Sequence, residues 1–450
     1  MTLSLPGKIP LTGSDCFLFA LSHHLKNPGK SFHACRLVID LDGFLSLDQL
    51  RFAVNKCEVL NWLNNLHWHR GFPWSAPQWI HNGIMREIPL EEHVRRIPEP
   101  GHIEFLPESI LQREWPDHSP GLAFDLIRNP PGSSTVVMSW HHALMDARGA
   151  DFLLHYLNTD SPEKTEVPGD FFVSQKRPIF HERIHHGLDL LHKIQFARKS
   201  LFHITRVSQP RIAFLSHTLS PQDGWENLFH VISFDEAQTR EIDSRCEQLG
   251  AGFNKGLFCL GAVIHALHTV LTSRSQAPAA YVVPVPHDLR RRGCRGPVFS
   301  NHVTFLFFRV EHEEASSLKA IYSILLRQMK DQIAHCLPQS FETVMDMFRS
   351  IPFCVYSRLI KGPTKGRMAS FFFSDAGDIL SLRDHFLGAP VQGITHLPPA
   401  LYPPGLTIIF TRFKKRLSAT LSFIKGCMEE EDMDRLKESL RTALVSGDLE

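Results

Sequence analysis

The chain of 450 residues has almost no net charge and no paired cysteine motif. Lys and Arg (48) nearly balance Asp and Glu (47), which leaves +1 at neutral pH. No overall positive field therefore favours a nucleic acid as partner. The nine cysteines form an odd set without a C-x-x-C pair, which argues against a disulfide framework or a zinc knuckle and suits a reducing compartment. The composition thus predicts no nucleic-acid partner and no bound metal.

Long hydrophobic runs and targeting signals are missing as well. No run approaches the roughly 18 uninterrupted apolar residues of a membrane-spanning helix. Residues 1–6 carry no basic segment followed by an apolar one, as a secretory signal would. The apolar share of 43% and the charged share of 21% are ordinary for a soluble globular protein. We therefore expect a cytoplasmic protein, long enough for two domains that each have a full core.

Histidine, in contrast, is abundant, with 27 residues. Three adjacent pairs occur, at 23–24, 141–142 and 185–186. Only His142 is followed four residues later by an aspartate, Asp146, and only this pair follows an apolar, strand-like run, 135–140. A histidine at the mouth of a strand is a candidate general base, because its ordinary pKa lies near neutrality. Since successive side chains point to opposite faces, only one histidine of the pair can enter a given cavity.

Periodicity predicts an alternation of strands and helices along most of the chain. Ser46 and Gln49 form a plausible capping box at the start of one helix. The predicted strands are 35–41, 135–140, 228–234, 281–286, 303–310, 371–373, 406–413 and 416–423, and the predicted helices are 47–60, 235–249, 255–271, 316–335 and a last one with Met433, Leu436, Leu440 and Leu444 on one face.

A basic segment separates the two halves of the chain. Residues 170–215 are rich in Lys and Arg around a partial apolar stripe, and Pro178 and Pro210 lie near its ends. We interpret it as an interdomain helical linker, with a solvated helix face over a domain seam as the favoured explanation. Peripheral contact with an anionic membrane through residues 176–211 is the alternative.

The order of several segments resembles a known family. These segments are PLTGSDCFLF, LVIDLDGFLSLDQLRFAV, HHALMDA, PVPHDLR, FSNHVTFLF and FFFSDAG. They resemble the acyltransferase superfamily of chloramphenicol acetyltransferase, nonribosomal peptide condensation domains and wax-ester synthase/diacylglycerol acyltransferases, whose signature is HHxxxDG. The resemblance implies an α/β fold of two similar chloramphenicol-acetyltransferase-like domains, with mixed β-sheets flanked by helices and an active-site channel at the domain interface. We expect an N-terminal half at 1–175 that carries the motif, the basic helical linker at 176–215 and a C-terminal half at 216–450.

The resemblance also implies roles for individual residues. His142 would be the general base, and His141 would be a structural residue of the motif. Asp146 would turn away from the channel and pair with Arg290. The remaining implied positions, which would line the channel, are Asn301, Ser374, Asp375 and Gly377.

One position departs from the family pattern. Ala147 stands where relatives usually have glycine. If that position required a positive φ, alanine would strain the loop.

The implied activity is acyl transfer from a thioester to a small-molecule hydroxyl or amine acceptor. The co-substrate would be acyl-coenzyme A or an acyl-phosphopantetheine arm on a carrier protein, without a resident cofactor. No nucleophilic Ser or Cys is needed, and no G-x-S-x-G motif is present. Two alternatives remain: a stand-alone condensation-type enzyme with carrier-bound substrates, and a degenerate, non-catalytic member that binds acyl chains or carriers. The Phe-rich strands add the alternative of a lipid-lined pocket to that of a strand core.

Overall fold

The computed structural model describes most of the chain. The described residues are 5–24, 33–81, 83, 86–95, 106–113, 115, 121–130, 132–158, 190–208, 212–217, 226–274, 279–290, 296–361, 369–379 and 384–449. The first part of the predicted linker, 176–189, lies outside this set.

All eight predicted strands are present among the described residues, together with seven strands that were not predicted. The strands are β1 (Lys8–Pro10), β2 (Ala34–Leu41), β3 (Leu66–His69), β4 (Gln78–His81), β5 (Leu90–Val94), β6 (Leu122–Asn129), β7 (Ser133–His141), β8 (Asn227–Ser233), β9 (Tyr281–Asp288), β10 (Val303–Val310), β11 (Phe372–Asp378), β12 (His385–Phe386), β13 (Ala389–Leu397), β14 (Leu406–Phe413) and β15 (Arg416–Ile424).

Helices cover these strands and separate them along the chain. The helices are α1 (Gly13–His24), α2 (Leu47–Lys56), α3 (Glu58–Asn64), α4 (Glu108–Leu111), α5 (Ala147–Leu157), α6 (Leu190–Val207), α7 (Glu236–Gln248), α8 (Lys255–Ser273), α9 (Leu318–Ala334), α10 (Leu337–Phe348), α11 (Phe353–Lys361) and α12 (Glu430–Val445).

Two larger sheets organise the described part of the chain. One has the order β12-β13-β2-β7-β6-β5, and the other has the order β11-β14-β15-β8. Strands β9 and β10 form a separate pair, and β1, β4 and β3 form a three-stranded sheet. Strand β13 comes from the second half of the chain but pairs with β2 of the first half, with Ile394 opposite Ile39. This crossing was not predicted from the sequence, and it links the two halves through backbone hydrogen bonds.

Each half has its own hydrophobic core. The first is built mainly from residues before 160, and the second mainly from residues after 212. Helix α8 is long and apolar enough to cross a membrane. However, its buried residues belong to the second core, where it packs against α12 and α9. Its apolar composition is therefore that of a core helix.

Two predicted elements differ from the structure. The capping box of Ser46 and Gln49 is confirmed, but the helix predicted over 47–60 is two helices, because Cys57 adopts an extended conformation between them. The strand predicted to end at 373 continues to Asp378 through a β-bulge between Asp375 and Gly377. Gly377 has φ +68°, a conformation that glycine adopts at little cost and that lets the strand continue past the irregularity.

Candidate active site

The two motif histidines lie at the end of β7 and face different surroundings. His141 ends the strand, between β2 and β6 in the sheet. Its ring stacks on Phe19 with 5.2 Å between ring centroids, and its Nδ1 accepts a hydrogen bond from the Ala143 N–H at 3.1 Å. Burial, together with the neighbouring His142, lowers the pKa of His141 to about 4. His141 is thus a neutral packing residue.

His142 is held by its backbone, and its ring lines a cavity. Its N–H donates to the His33 carbonyl at 2.8 Å, and its own carbonyl accepts from Asn301 Nδ2 at 2.8 Å. Nδ1 is buried and has no hydrogen-bond partner among the described residues, so Nε2 is the ring nitrogen available to a bound molecule. Burial lowers the pKa of His142, and the nearby Asp146 carboxylate opposes this effect only in part. The imidazole is therefore neutral at pH 7, which is the state a general base requires.

The cavity lies between the two halves of the chain and has a volume of about 600 Å³. The first half contributes α1 and the end of β7, and the second contributes β10, β11, α10 and α11. Helix α6 supplies part of the wall through Ile194, Leu201 and Ile204. The Phe-rich strands contribute both to the core and to the cavity wall, since Phe308 and Phe371 are core residues while their neighbours face the cavity. These cavity-facing side chains are Phe305, Phe307, Phe372 and Phe373.

Asp146 and Arg290 form a buried ion pair that joins the two halves. Arg290 Nη2 lies 2.9 Å from both carboxylate oxygens of Asp146. The carboxylate also accepts the N–H groups of Gly149 at 2.8 Å and His302 at 3.1 Å. Burial by itself would raise the pKa of Asp146, but Arg290 and these donors outweigh it and hold the pKa below its ordinary value. The structure thus brings together the two residues that the resemblance paired.

Ala147 does not strain the motif loop. Asp146 is the N-cap of α5, with φ −83° and ψ 176°, and Ala147 is the first helical residue. No positive φ is found at Ala147, so the concern raised by the missing glycine is wrong for this chain. Glycine is instead needed at Gly149, where an added Cβ would collide with the carbonyl oxygen of Val298.

The four residues expected to line the cavity divide into two groups. Ser374 and Asp375 line it, and burial raises the pKa of Asp375. Asn301 and Gly377 are not among the lining residues, contrary to expectation. Asn301 is buried behind His142, because its side chain bridges the His142 carbonyl and Asp15 Oδ1, and Gly377 lies in the β11 bulge.

Two buried groups around His142 were not predicted from the sequence. His33 is 1% exposed, its ring centroid lies 5.6 Å from that of His142, and its Nδ1 is 2.6 Å from Ser22 Oγ. Burial lowers the pKa of His33 well below its ordinary value, and His142 adds to this effect. The fully buried Asp15 carboxylate binds the backbone and side chain of Asn301, and its pKa is raised to about 6 by burial. Thr12 and Asp15 carry a local capping signal, whereas nothing near His33 in the sequence marks it.

Among the described residues, one cluster has the spacing of a metal site, formed by Glu91, His93 and Asp125. The Asp125 carboxylate is already bound by both terminal nitrogens of Arg113, at 2.7 and 3.0 Å, and by His93 Nε2 at 3.0 Å. None of the cluster residues lines the cavity. This cluster is explained as an ion-pair network.

Known structures share this architecture over nearly the whole chain. The chain is similar to a trichothecene 15-O-acetyltransferase from Fusarium sporotrichioides, with 11% identity, a TM-score of 0.68, and 97% of this chain and 95% of that chain covered. It is also similar to the first condensation domain of the calcium-dependent antibiotic synthetase, with 13% identity, a TM-score of 0.67 and coverage of 98% and 96%. For the wax ester synthase/diacylglycerol acyltransferase of Marinobacter aquaeolei VT8 the values are 15%, 0.57, and 97% and 98%.

No protein-family model and no curated protein matches the sequence. Identities of 10 to 15% are too low to carry an activity from one protein to another, and the agreement therefore concerns the fold. Together with the motif geometry, it shows that the chain has the two-domain fold of the condensation-domain and chloramphenicol-acetyltransferase-like acyltransferases.

Proposed function

We propose that this protein transfers an acyl group from a thioester to a hydroxyl or amine, with His142 as the general base. The observation that carries the proposal is the position of the His142 ring. It lies on a cavity walled by both halves, with Nδ1 buried and the pKa lowered by burial. A neutral imidazole in such a place can take a proton from an acceptor that enters the cavity.

The proposed reaction needs no covalent enzyme intermediate. His142 Nε2 accepts the proton of the acceptor as its oxygen or nitrogen attacks the thioester carbonyl. The tetrahedral intermediate then breaks its C–S bond, and the departing thiolate receives the proton from the imidazolium. General base catalysis contributes about 10²- to 10⁴-fold, and the binding of both substrates in one cavity reduces the entropic cost of their encounter.

The donor is coenzyme A or a phosphopantetheine arm. The similar structures include condensation domains as well as an acetyltransferase and a wax ester synthase, so both kinds of donor belong in the assay. Acyl-coenzyme A and the same acyl group on a carrier protein are to be compared at equal concentration, with a small alcohol and a matched amine as acceptors. A carrier-only activity would identify the stand-alone condensation-type enzyme.

The sequence feature that suggested a non-catalytic protein does not support that alternative. It depended on Ala147 in place of glycine, and Ala147 begins α5 without a positive φ. The motif loop thus retains an unstrained backbone.

A peripheral membrane contact through α6 belongs to the same proposal. Leu191 and Phe202 on this helix are 68% and 72% exposed, and they lie among basic residues. An exposed apolar and basic helix face suits the surface of an anionic bilayer. Co-sedimentation with phosphatidylserine vesicles should decrease as salt increases, and Phe202→Ser should weaken it.

The decisive test is His142→Ala. We expect acyl transfer to fall at least about 100-fold, because the base is removed from the reaction. His155→Ala is the control, since this exposed histidine on α5 is outside the cavity lining, and its activity should match that of the unchanged protein. Full turnover by folded His142→Ala would disprove the proposed mechanism.

A further inference from the structure

A buried arginine on β2 borders the same cavity. Arg36 is 2% exposed and is one of the cavity-lining residues. It lies opposite Ser139 of β7 and Leu397 of β13, in the middle of the six-stranded sheet. A charged side chain in this position needs an explanation, because a cation in a low-dielectric interior is unfavourable unless it is paired.

The contacts of Arg36 satisfy only part of its guanidinium group. Nη2 donates to the carbonyl oxygens of Ile110 and Leu111 at 3.0 and 2.8 Å. Nε is buried without a partner, and Nη1 has no hydrogen bond to any described residue. Burial lowers the pKa of Arg36 to about 10, so the side chain remains charged at neutral pH.

No carboxylate among the described residues lies in ion-pair contact with Arg36. Asp125 on β6 favours the charged form of Arg36 from a distance, but β7 lies between their two strands, and the Asp125 oxygens are bound by Arg113 and His93. The two carbonyl contacts at the end of α4 use a single nitrogen. A neutral amide donor would serve that purpose equally well, and helix capping therefore does not account for the positive charge.

The strand register gives the approximate separation of Arg36 and His142 along the sheet. Arg36 pairs with Ser139, and His142 follows Ser139 by three residues. At a rise of about 3.3–3.4 Å per strand residue, the two positions are roughly 10 Å apart along the sheet. Both line one cavity whose other walls carry many phenylalanine and aliphatic side chains.

We propose that Arg36 binds the carboxylate of an otherwise apolar substrate within this cavity. The two Nη1 N–H groups, which no described residue binds, can donate charge-assisted hydrogen bonds to a carboxylate oxygen, and such bonds are strong when they are buried. This inference rests on the proposed function, since it describes the acyl group or acceptor that His142 acts on. It places an acid group at the Arg36 end of the cavity, away from the reacting centre at His142, as in a hydroxy acid or a dicarboxylic half-thioester.

The test is a binding experiment that needs no turnover. Dodecanoate and its methyl ester are titrated calorimetrically into the full chain, because they differ only in the charge of the head group. We expect dodecanoate to bind at least about tenfold more tightly. Arg36→Met should remove this preference while the affinity for the methyl ester stays unchanged, and Arg36→Lys should retain part of it.

Arg198→Met is the matched control, because Arg198 also lines the cavity but is exposed on α6. It should keep the preference for the acid. Circular dichroism shows whether each variant is folded, and Arg36→Lys keeps the test decisive if Arg36→Met does not fold. Equal affinities of the acid and the ester for the unchanged protein would overturn the inference. A preference for the acid that persists in Arg36→Met would also overturn it. If Arg36→Met lost affinity for coenzyme A while its binding of dodecanoate stayed unchanged, Arg36 would instead bind a phosphate of the donor.

The two proposals fail separately. His142→Ala should lose transfer but keep the preference for dodecanoate. An acid preference without any transfer in the unchanged protein would refute the proposed activity alone. Transfer without an acid preference would refute the carboxylate site alone.

Discussion

Replacement of Asp146 tests how the motif loop is held between the two halves. The carboxylate is 6% exposed and accepts hydrogen bonds from Arg290, Gly149 and His302. In Asp146→Ala, Arg290 keeps its contacts with Asp288 and the Pro297 carbonyl, but it loses its buried counter-charge. Breaking a buried ion pair on one side costs about 3–5 kcal/mol. We take this figure to include the lost N-cap bond, which by itself costs about 0.5–2 kcal/mol. We therefore expect the free energy of unfolding to fall by about 4 kcal/mol.

Asp146→Asn separates the charge from the hydrogen bonds. Asparagine is an equally good N-cap and keeps an oxygen for the Gly149 N–H, so this variant should lose less stability than Asp146→Ala. Asp288→Asn is the control, because that carboxylate is 38% exposed and its pairing is screened by water. The free energy of unfolding of all three variants is measured by urea denaturation, with circular dichroism as the signal. A loss below about 1 kcal/mol in Asp146→Ala would refute the reasoning, since it would place the pair among the weak surface ion pairs.

The same ion pair predicts a dependence of stability on pH. Because the folded-state pKa of Asp146 lies below its ordinary value, the contribution is fully present above the unfolded value of about 3.9 and is lost as the pH falls through the folded pKa. The stability difference between the unchanged protein and Asp146→Asn should therefore be constant near neutrality and shrink in acid. If the stability difference between the two proteins grew on acidification, the pKa of Asp146 would not be lowered in the folded state.

Three further results follow from the geometry of the motif. Gly149→Ala should destabilise the fold by about 1–3 kcal/mol or more, measured by urea unfolding, because the new methyl group meets the Val298 carbonyl oxygen. Ala147→Gly should change stability by no more than about 1 kcal/mol in the same assay, because Ala147 is an unstrained helical residue; a large gain would show hidden strain. The acid limb of kcat/KM, which reports the free enzyme, should lie below the ordinary histidine pKa of about 6.5, because the neutral form of His142 persists to lower pH. A limb well above that value, in a pH–rate profile, would exclude His142 as the base.

Local sequence patterns predicted most of the secondary structure. The eight-residue run 303–310 became β10 without change, and α12 buries Met433, Leu436, Leu440 and Leu444 as its periodicity required. The single helix predicted over 47–60 was wrong at Cys57. The apolar pattern continues through this residue, but its backbone is extended and separates two helices. Strand β13 in the sheet of the first half was not predictable, since its pairing with β2 spans about 350 residues and has no local signal.

The candidate site, like the fold, was predicted only in part from the sequence. Spacing identified His141, His142 and Asp146, and the resemblance added Arg290. The positions of Asn301 and Gly377 outside the cavity wall, and of His33 and Arg36 around it, depend on strand register and burial.

The sequence by itself determined the strand and helix periods, the histidine pair at a strand end and the absence of a charge or cysteine pattern that would suit nucleic acid or zinc. These properties are local, because they depend on neighbours along the chain. The tertiary structure decided which histidine meets the cavity, which buried arginine lacks a carboxylate and how the second half completes the first sheet. Such properties depend on residues that are distant in sequence and adjacent in space, and only packing defines their environment.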